Sequence, residues 1–227
     1  MHFVITALLI FALLFGPQFW ARRTFKRYSS EQDHFPGTGG ELARHLLDRF
    51  NMTEVKVETT ERGDHYDPES KTVRLSSQNF SGKSLTAIAV ACHEVGHAIQ
   101  DKEGHGLLRL RTRLVKLALT AERIGSVTIF LAPVLTGIFK TPSIGMLMFL
   151  AGITSIFIST IVHLVTLPVE WDASFGKAMP ILEEGYVNEQ ERKAARKVLK
   201  AAALTYVAGS LAGLLNLWRW IRVLRPR

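Results

Sequence analysis

The chain has 227 residues, of which 47% are hydrophobic, with a formal net charge of +8 and a single cysteine. One cysteine, Cys92, excludes an internal disulfide. The basic residues flank apolar runs and are not interleaved with aromatics, so the excess charge points to membrane topology and away from nucleic acid.

Residues 3–20 form an apolar run that ends at Trp20 and is followed at once by Arg22, Arg23, Lys26 and Arg27. A cleaved signal peptide carries its positive charge before the run. The opposite layout predicts an uncleaved N-terminal membrane anchor over 1–21, with the next region on the cytoplasmic side. Residues 22–122 read as a soluble region. Within it Thr38-Gly39-Gly40-Glu41 is a capping box, opening an amphipathic helix with Leu42, His45, Leu46, Leu47 and Phe50 as its stripe. Val55–Thr59 alternates like a half-buried strand, His65–Lys71 has turn chemistry at Asp67-Pro68, and Thr72–Ser76 reads as the return strand. The edge of such a small sheet can pair with an extended peptide.

A helix is predicted over 84–101. Ser81 and Ser84 offer N-caps, no proline interrupts the run, and Leu85, Ile88, Ala89, Cys92, Val95, Gly96 and Ile99 form an apolar stripe. It carries His93-Glu94-Val95-Gly96-His97, an HExxH box. Helical spacing sets His93 and His97 one turn apart on one face, where two neutral imidazoles can grip a Zn²⁺ ion. Glu94 then lies beside the water that the metal activates and can act as general base. Cys92 points about 100° away and reads as a packing residue. A catalytic zinc site needs a third protein ligand. The metzincin continuation is absent, because Gln100 and Glu103 stand where Gly and His would be. His105 lies beyond Gly104 and reads as a loop histidine. Glu170 is the leading third ligand, just after Pro168, which suits a first helical turn; Asp172 is second.

From Leu107 the chain is basic and amphipathic, with Arg109, Arg111, Arg113 and Lys116 suited either to an anionic membrane surface or to a solvated helix face. Residues 123–168 read as a transmembrane helical hairpin turning at Lys140–Ser143. Residues 169–200 hold the third-ligand helix and a polar cytoplasmic segment. Residues 201–227 are an apolar helix with a basic tail, either re-entrant or a fourth span. The expected architecture is an α+β zincin-like soluble part, with a small sheet and the HExxH helix, attached to a mostly α-helical membrane part of three to four spans.

Four segments carry a resemblance to a known family: His65–Pro68 with Val73–Ser76; Ala91–Gln100; Leu164–Ser174; and Ala201–Ala208. Together they resemble the neutral zinc metallopeptidase family of bacterial membrane proteins, the YugP-like peptidases. The resemblance implies a zinc-dependent, proteolytic protein of the bacterial inner membrane. A looser likeness runs to the integral-membrane gluzincins of the HtpX and CAAX-protease type, which have a membrane-anchored HExxH helix and a downstream Glu as third ligand. In that pattern Ala and Asp follow the Glu three and four places on. Ala173 matches, whereas Ser174 stands where the Asp would support a zinc-ligating His, and Asp172 is the candidate substitute.

The expected function is an integral-membrane zinc endopeptidase of gluzincin type. His93, His97 and Glu170 hold one Zn²⁺, Glu94 is the general base, and His65, Tyr66 or Tyr206 donates to the oxyanion. The expected partners are a peptide or membrane-protein substrate and the lipid bilayer, with no nucleic acid. The location is multi-pass in the inner membrane with the site on the cytoplasmic side. The alternative is a non-enzymatic membrane scaffold whose metal is structural, its fourth position closed by His105 or Asp172.

Overall fold

Among the described residues, the longest uninterrupted buried stretch belongs to the HExxH helix. A computed structural model describes residues 2–139 and 142–205, apart from the side chains of 2–14 and of parts of two long helices. In chain order the elements are α1 (His2–Arg27), α2 (Gly39–Arg49), β1 (Lys56–Thr59), β2 (His65–Asp67), β3 (Thr72–Leu75), α3 (Ser77–Ser81), α4 (Leu85–Lys102), α5 (Gly106–Phe139) and α6 (Pro142–Trp171). The helical path continues through a π-helical segment Asp172–Ala178, then α7 (Met179–Ile181), then a second π-helical segment Leu182–Tyr186. A final helix, α8, covers 189–205.

Local chemistry explains the starts of the two central helices. The Thr38 hydroxyl accepts from the Glu41 N–H at 3.2 Å, while the Glu41 carboxylate accepts from the Thr38 N–H at 2.8 Å, so the capping box satisfies two otherwise orphaned donors of α2. The Ser84 hydroxyl caps α4 by accepting from the Ala87 N–H at 3.1 Å. Leu42, Leu46 and Leu47 of α2 are buried against α4, with Ala43 completing the stripe; His45 instead faces outward and meets the Tyr186 hydroxyl at 2.9 Å.

The sheet order is β1-β3-β2. Thr72–Leu75 is therefore the central strand and not a simple return strand. It runs parallel to β1, with Lys56 opposite Thr72, and antiparallel to β2, with His65 opposite Arg74. The turn expected at Asp67-Pro68 is the β2–β3 connection. The Asp67 carboxylate accepts from the Glu69 N–H and the Ser70 hydroxyl, and Lys71 takes a left-handed φ of 48°. What periodicity misses is β2, because His65-Tyr66-Asp67 is too short to alternate and is held by its neighbour. Val73 and Leu75 turn into the core beneath α2 and α4.

The expected membrane part of three to four spans is overturned. The molecule is mostly helical with this one small sheet, and among the described residues no helix is long and apolar enough to cross a membrane. Composition marks where an apolar run lies but not the turns that packing adds to it. In α1 the run continues into charged turns that bury Ala21 and Thr24, and the Phe25 carbonyl accepts from the Thr86 hydroxyl at 2.9 Å. Helix α5 opens on Arg109, Arg111 and Arg113; α6 ends by carrying Thr166 and Glu170 into the interior. Pro168 lies inside α6 and does not open a new helix. Residues 206–227, with Tyr206 and most of the expected C-terminal helix, lie outside the described residues.

Candidate metal centre

Helix α4 is buried at every position from Leu85 to Gln100. Polar side chains in such a helix must find partners, because a buried polar group without one costs about 1–3 kcal/mol. His93 and His97 project from one face with ring centroids 4.8 Å apart. Across from them the last turn of α6 brings in Glu170, which is 0% exposed. Its Oε2 lies 3.1 Å from His93 Nε2 and 3.2 Å from His97 Nε2. Among the described residues these three side chains form the one group of its kind that could hold a metal ion, with ligand atoms all within 4.8 Å of one another.

The hydrogen bonds behind the imidazoles determine where their protons sit. The Gln100 Nε2 donates to the Val169 carbonyl at 2.9 Å and to Asp172 Oδ2 at 2.8 Å. Both partners are acceptors, so the amide orientation is settled and its oxygen faces His97 Nδ1 at 2.9 Å. His97 therefore carries its proton on Nδ1. The Ser174 hydroxyl donates to the Leu199 carbonyl at 3.0 Å and lies 2.9 Å from His93 Nδ1. With its one hydrogen committed, Ser174 accepts, and His93 too is protonated on Nδ1. Each Nε2 is then a bare lone pair aimed at a carboxylate oxygen.

Three acceptors facing one another with no proton among them repel. A divalent cation satisfies all three at once. Tetrahedral ligands about 2.1 Å from zinc lie about 3.4 Å apart, close to the separations between Oε2 and the two imidazoles. The donor set, two imidazoles and a carboxylate, also suits zinc chemistry. Glu170 Oε1 is buried with no hydrogen-bond partner, and Arg111 Nη2 stands 3.3 Å from it as an ion pair.

The π-helical segment accounts for the support of both histidines. At about 100° per residue, Asp172 on a straight α-helix would point away from the face shared by Glu170 and Ser174. In the π-helical segment that starts at Asp172, Asp172 nevertheless reaches Gln100 and Ser174 reaches His93. Gly96 makes this approach possible: a Cβ there would sit 2.7 Å from the Ala173 carbonyl oxygen.

Glu94 is 6% exposed, and burial pushes its acid up to about 7, with the negative Glu170 and Asp64 adding to the rise. Thr86, Val90 and Glu94 follow at four-residue steps along α4. Thr86 and Val90 line a cleft of about 490 Å³ with Phe25 and Lys26 of α1, Asp64 and Asn79. Asp64 is fixed there by the Ser76 N–H at 2.7 Å and the Asn79 amide at 2.8 Å.

Of the other expected site residues, His65, Tyr66, His105 and Asp172 have hydrogen-bond partners outside the trio. His65 Nδ1 pairs with the Gly63 carbonyl at 2.8 Å, and the Tyr66 hydroxyl donates to Asp101 at 2.7 Å. Tyr206 lies outside the described residues. His105 Nδ1 accepts from the Leu108 N–H at 3.4 Å, capping α5, and Asp172 reaches Gln100 and not the imidazoles. The sequence pattern brings in Gln100 only as a break in another motif. Its spacing from His97, three residues on one helical face, is the signal that could have found it. Cys92 is buried with its thiol toward the Ala178 carbonyl at 3.4 Å.

Comparison with known proteins points the same way. The model of a family described as "Putative neutral zinc metallopeptidase" matches residues 3–225. The chain is 37% identical over 226 residues, 98% of its length and 96% of the relative's, to a protein of Bacillus subtilis (strain 168) named "Putative membrane protease YugP". No solved structure matches. On a match of this extent, the chain belongs to the family described as "Putative neutral zinc metallopeptidase".

Proposed function

We propose that the protein is a zinc metalloendopeptidase of gluzincin type that hydrolyses peptide bonds in peptide or protein substrates. His93, His97 and Glu170 hold one Zn²⁺, and Glu94 is the general base. The observation that carries this reading is the meeting of three proton-free acceptor atoms, from His93, His97 and Glu170, on the helix face beside the buried Glu94. Zinc, when bound, supplies Lewis acidity toward water and the scissile carbonyl. Glu94 takes the proton of the attacking water and passes it to the leaving amine. Gln100 and Ser174 keep both imidazoles in the tautomer that presents Nε2. The cleft along Thr86 and Val90, one helical step along α4 from Glu94, is the path proposed for the peptide, with β2 as the sheet edge it pairs with.

The catalytic unit proposed is residues 22–122 together with the third-ligand segment 169–200; 1–21, 123–168 and 201–227 are accessory to it. Residence at the bacterial inner membrane, with the site on the cytoplasmic side, is proposed from the name of the Bacillus subtilis relative and the arrangement of basic residues. A purely structural metal would call for a fourth protein ligand, and His105 and Asp172 are both engaged elsewhere. The test is Glu94→Gln in the full-length protein. Metal content is expected to remain at one equivalent while peptide hydrolysis falls by about 10²–10⁴-fold. Hydrolysis at the unsubstituted rate overturns the mechanism.

A further inference from the structure

Arg111 lies in the basic stretch that opens α5, and its surroundings differ from those of its neighbours. Arg109, Arg113 and Lys116 are exposed. The Arg111 side chain is only 14% exposed and its Nη2 lies 3.3 Å from Glu170 Oε1. A cation pointed at a site suited to a second cation would weaken it, unless a negative group stands between the two. Glu170 occupies that place. Its Oε1 faces the guanidinium and its Oε2 faces both imidazoles. The carboxylate is divided between two kinds of partner, one oxygen to each.

We infer that Arg111 is a positioning residue that commits Oε1 of Glu170, so that the carboxylate presents Oε2 alone to the metal. The inference rests on the metal site proposed above. It has two physical consequences. A carboxylate held this way cannot close on an ion with both oxygens, which leaves room at the metal for water and substrate. The guanidinium also offsets the carboxylate charge, so a bound ion keeps more of its polarising power. The contact is one Nη2–Oε1 approach, an ion pair without a hydrogen bond, so the hold on the carboxylate is electrostatic.

The test is reconstitution of the full-length protein with Co²⁺, whose visible absorption weakens as its coordination number rises. Arg111→Met frees Oε1, and its Co²⁺ absorption is expected to fall about twofold, with metal affinity or kcat changed by about tenfold. Arg113→Met, an exposed neighbour, is the control and is expected to match the unsubstituted protein. If Arg111→Met does not fold, Arg111→Lys carries the test. It keeps the charge on a differently shaped head group and is expected to show an intermediate spectrum. A Co²⁺ spectrum and metal affinity unchanged in the folded Arg111 variant overturn the inference and leave the metal site standing. An unsubstituted protein that takes up no metal overturns the proposed function and this inference with it.

Discussion

Helices α4 and α5 are consecutive in the chain and opposite in what they bury. In α4 every side chain from Leu85 to Gln100 is inside, including two histidines, a glutamate and a glutamine. In α5 the large apolar residues Leu117, Val127 and Ile138 are 55%, 60% and 67% exposed, while Arg111 turns inward. Hydropathy alone would place Leu117 inside and Arg111 out. The difference comes from what packs on each helix. Helix α4 is enclosed by α2, the sheet and the π-helical segment, so its polar groups are kept only because they bond to one another and to the elements around them. Helix α5 meets the site at its first turns and otherwise runs along α6.

The sharpest way to break this contrast is to remove the acid that joins the two helices. Glu170→Ala takes away a proposed ligand and the carboxylate facing Arg111. Metal uptake is expected to be lost, and the metal-free chain to lose about 3–5 kcal/mol of stability, measured by denaturant unfolding. Metal binding with unsubstituted affinity would remove Glu170 from the centre. A second test concerns the close approach that α4 alone makes. Gly96→Ala drives a Cβ to 2.7 Å from the Ala173 oxygen and is expected to cost about 1–3 kcal/mol in thermal or chemical unfolding. A neutral result would mean that the π-helical segment yields freely.

Smaller effects sharpen the comparison. Gln100→Ala removes the acceptor for His97 Nδ1 and cuts its link to Asp172. Metal affinity measured against a competing chelator is expected to drop by about 10–100-fold with the fold intact. On the α5 side, Leu117→Ser alters an exposed side chain and is expected to change unfolding free energy by less than about 0.5 kcal/mol. A large loss there would show that this face of α5 is covered.

Part of this is readable from residues alone. The α2 capping box and the Ser84 cap follow from short-range chemistry, and the side-chain hydrogen bonds at both helix starts bear them out. Pro168 misleads, because a proline reads as a helix start but here lies within α6 just ahead of the wide turns. The parallel β1–β3 pairing is not readable, since partners far apart in sequence choose one another through the core they share. The membrane part is misjudged because a run of apolar letters carries no record of the charged turns joined to it.

By itself the sequence determined the reach of α4, the one-turn spacing of His93 and His97, and the place of Glu94 between them, because helix geometry repeats every 3.6 residues and needs no partner to do so. Only the tertiary structure decided that Glu170 faces both imidazoles, that Ser174 and Gln100 set their tautomers, and that Arg111 turns inward. The contacts of Glu170 with the imidazoles and of Ser174 with His93 join residues more than 70 positions apart. Such meetings are set by the burial and bonding of whole elements, which no short stretch of sequence contains.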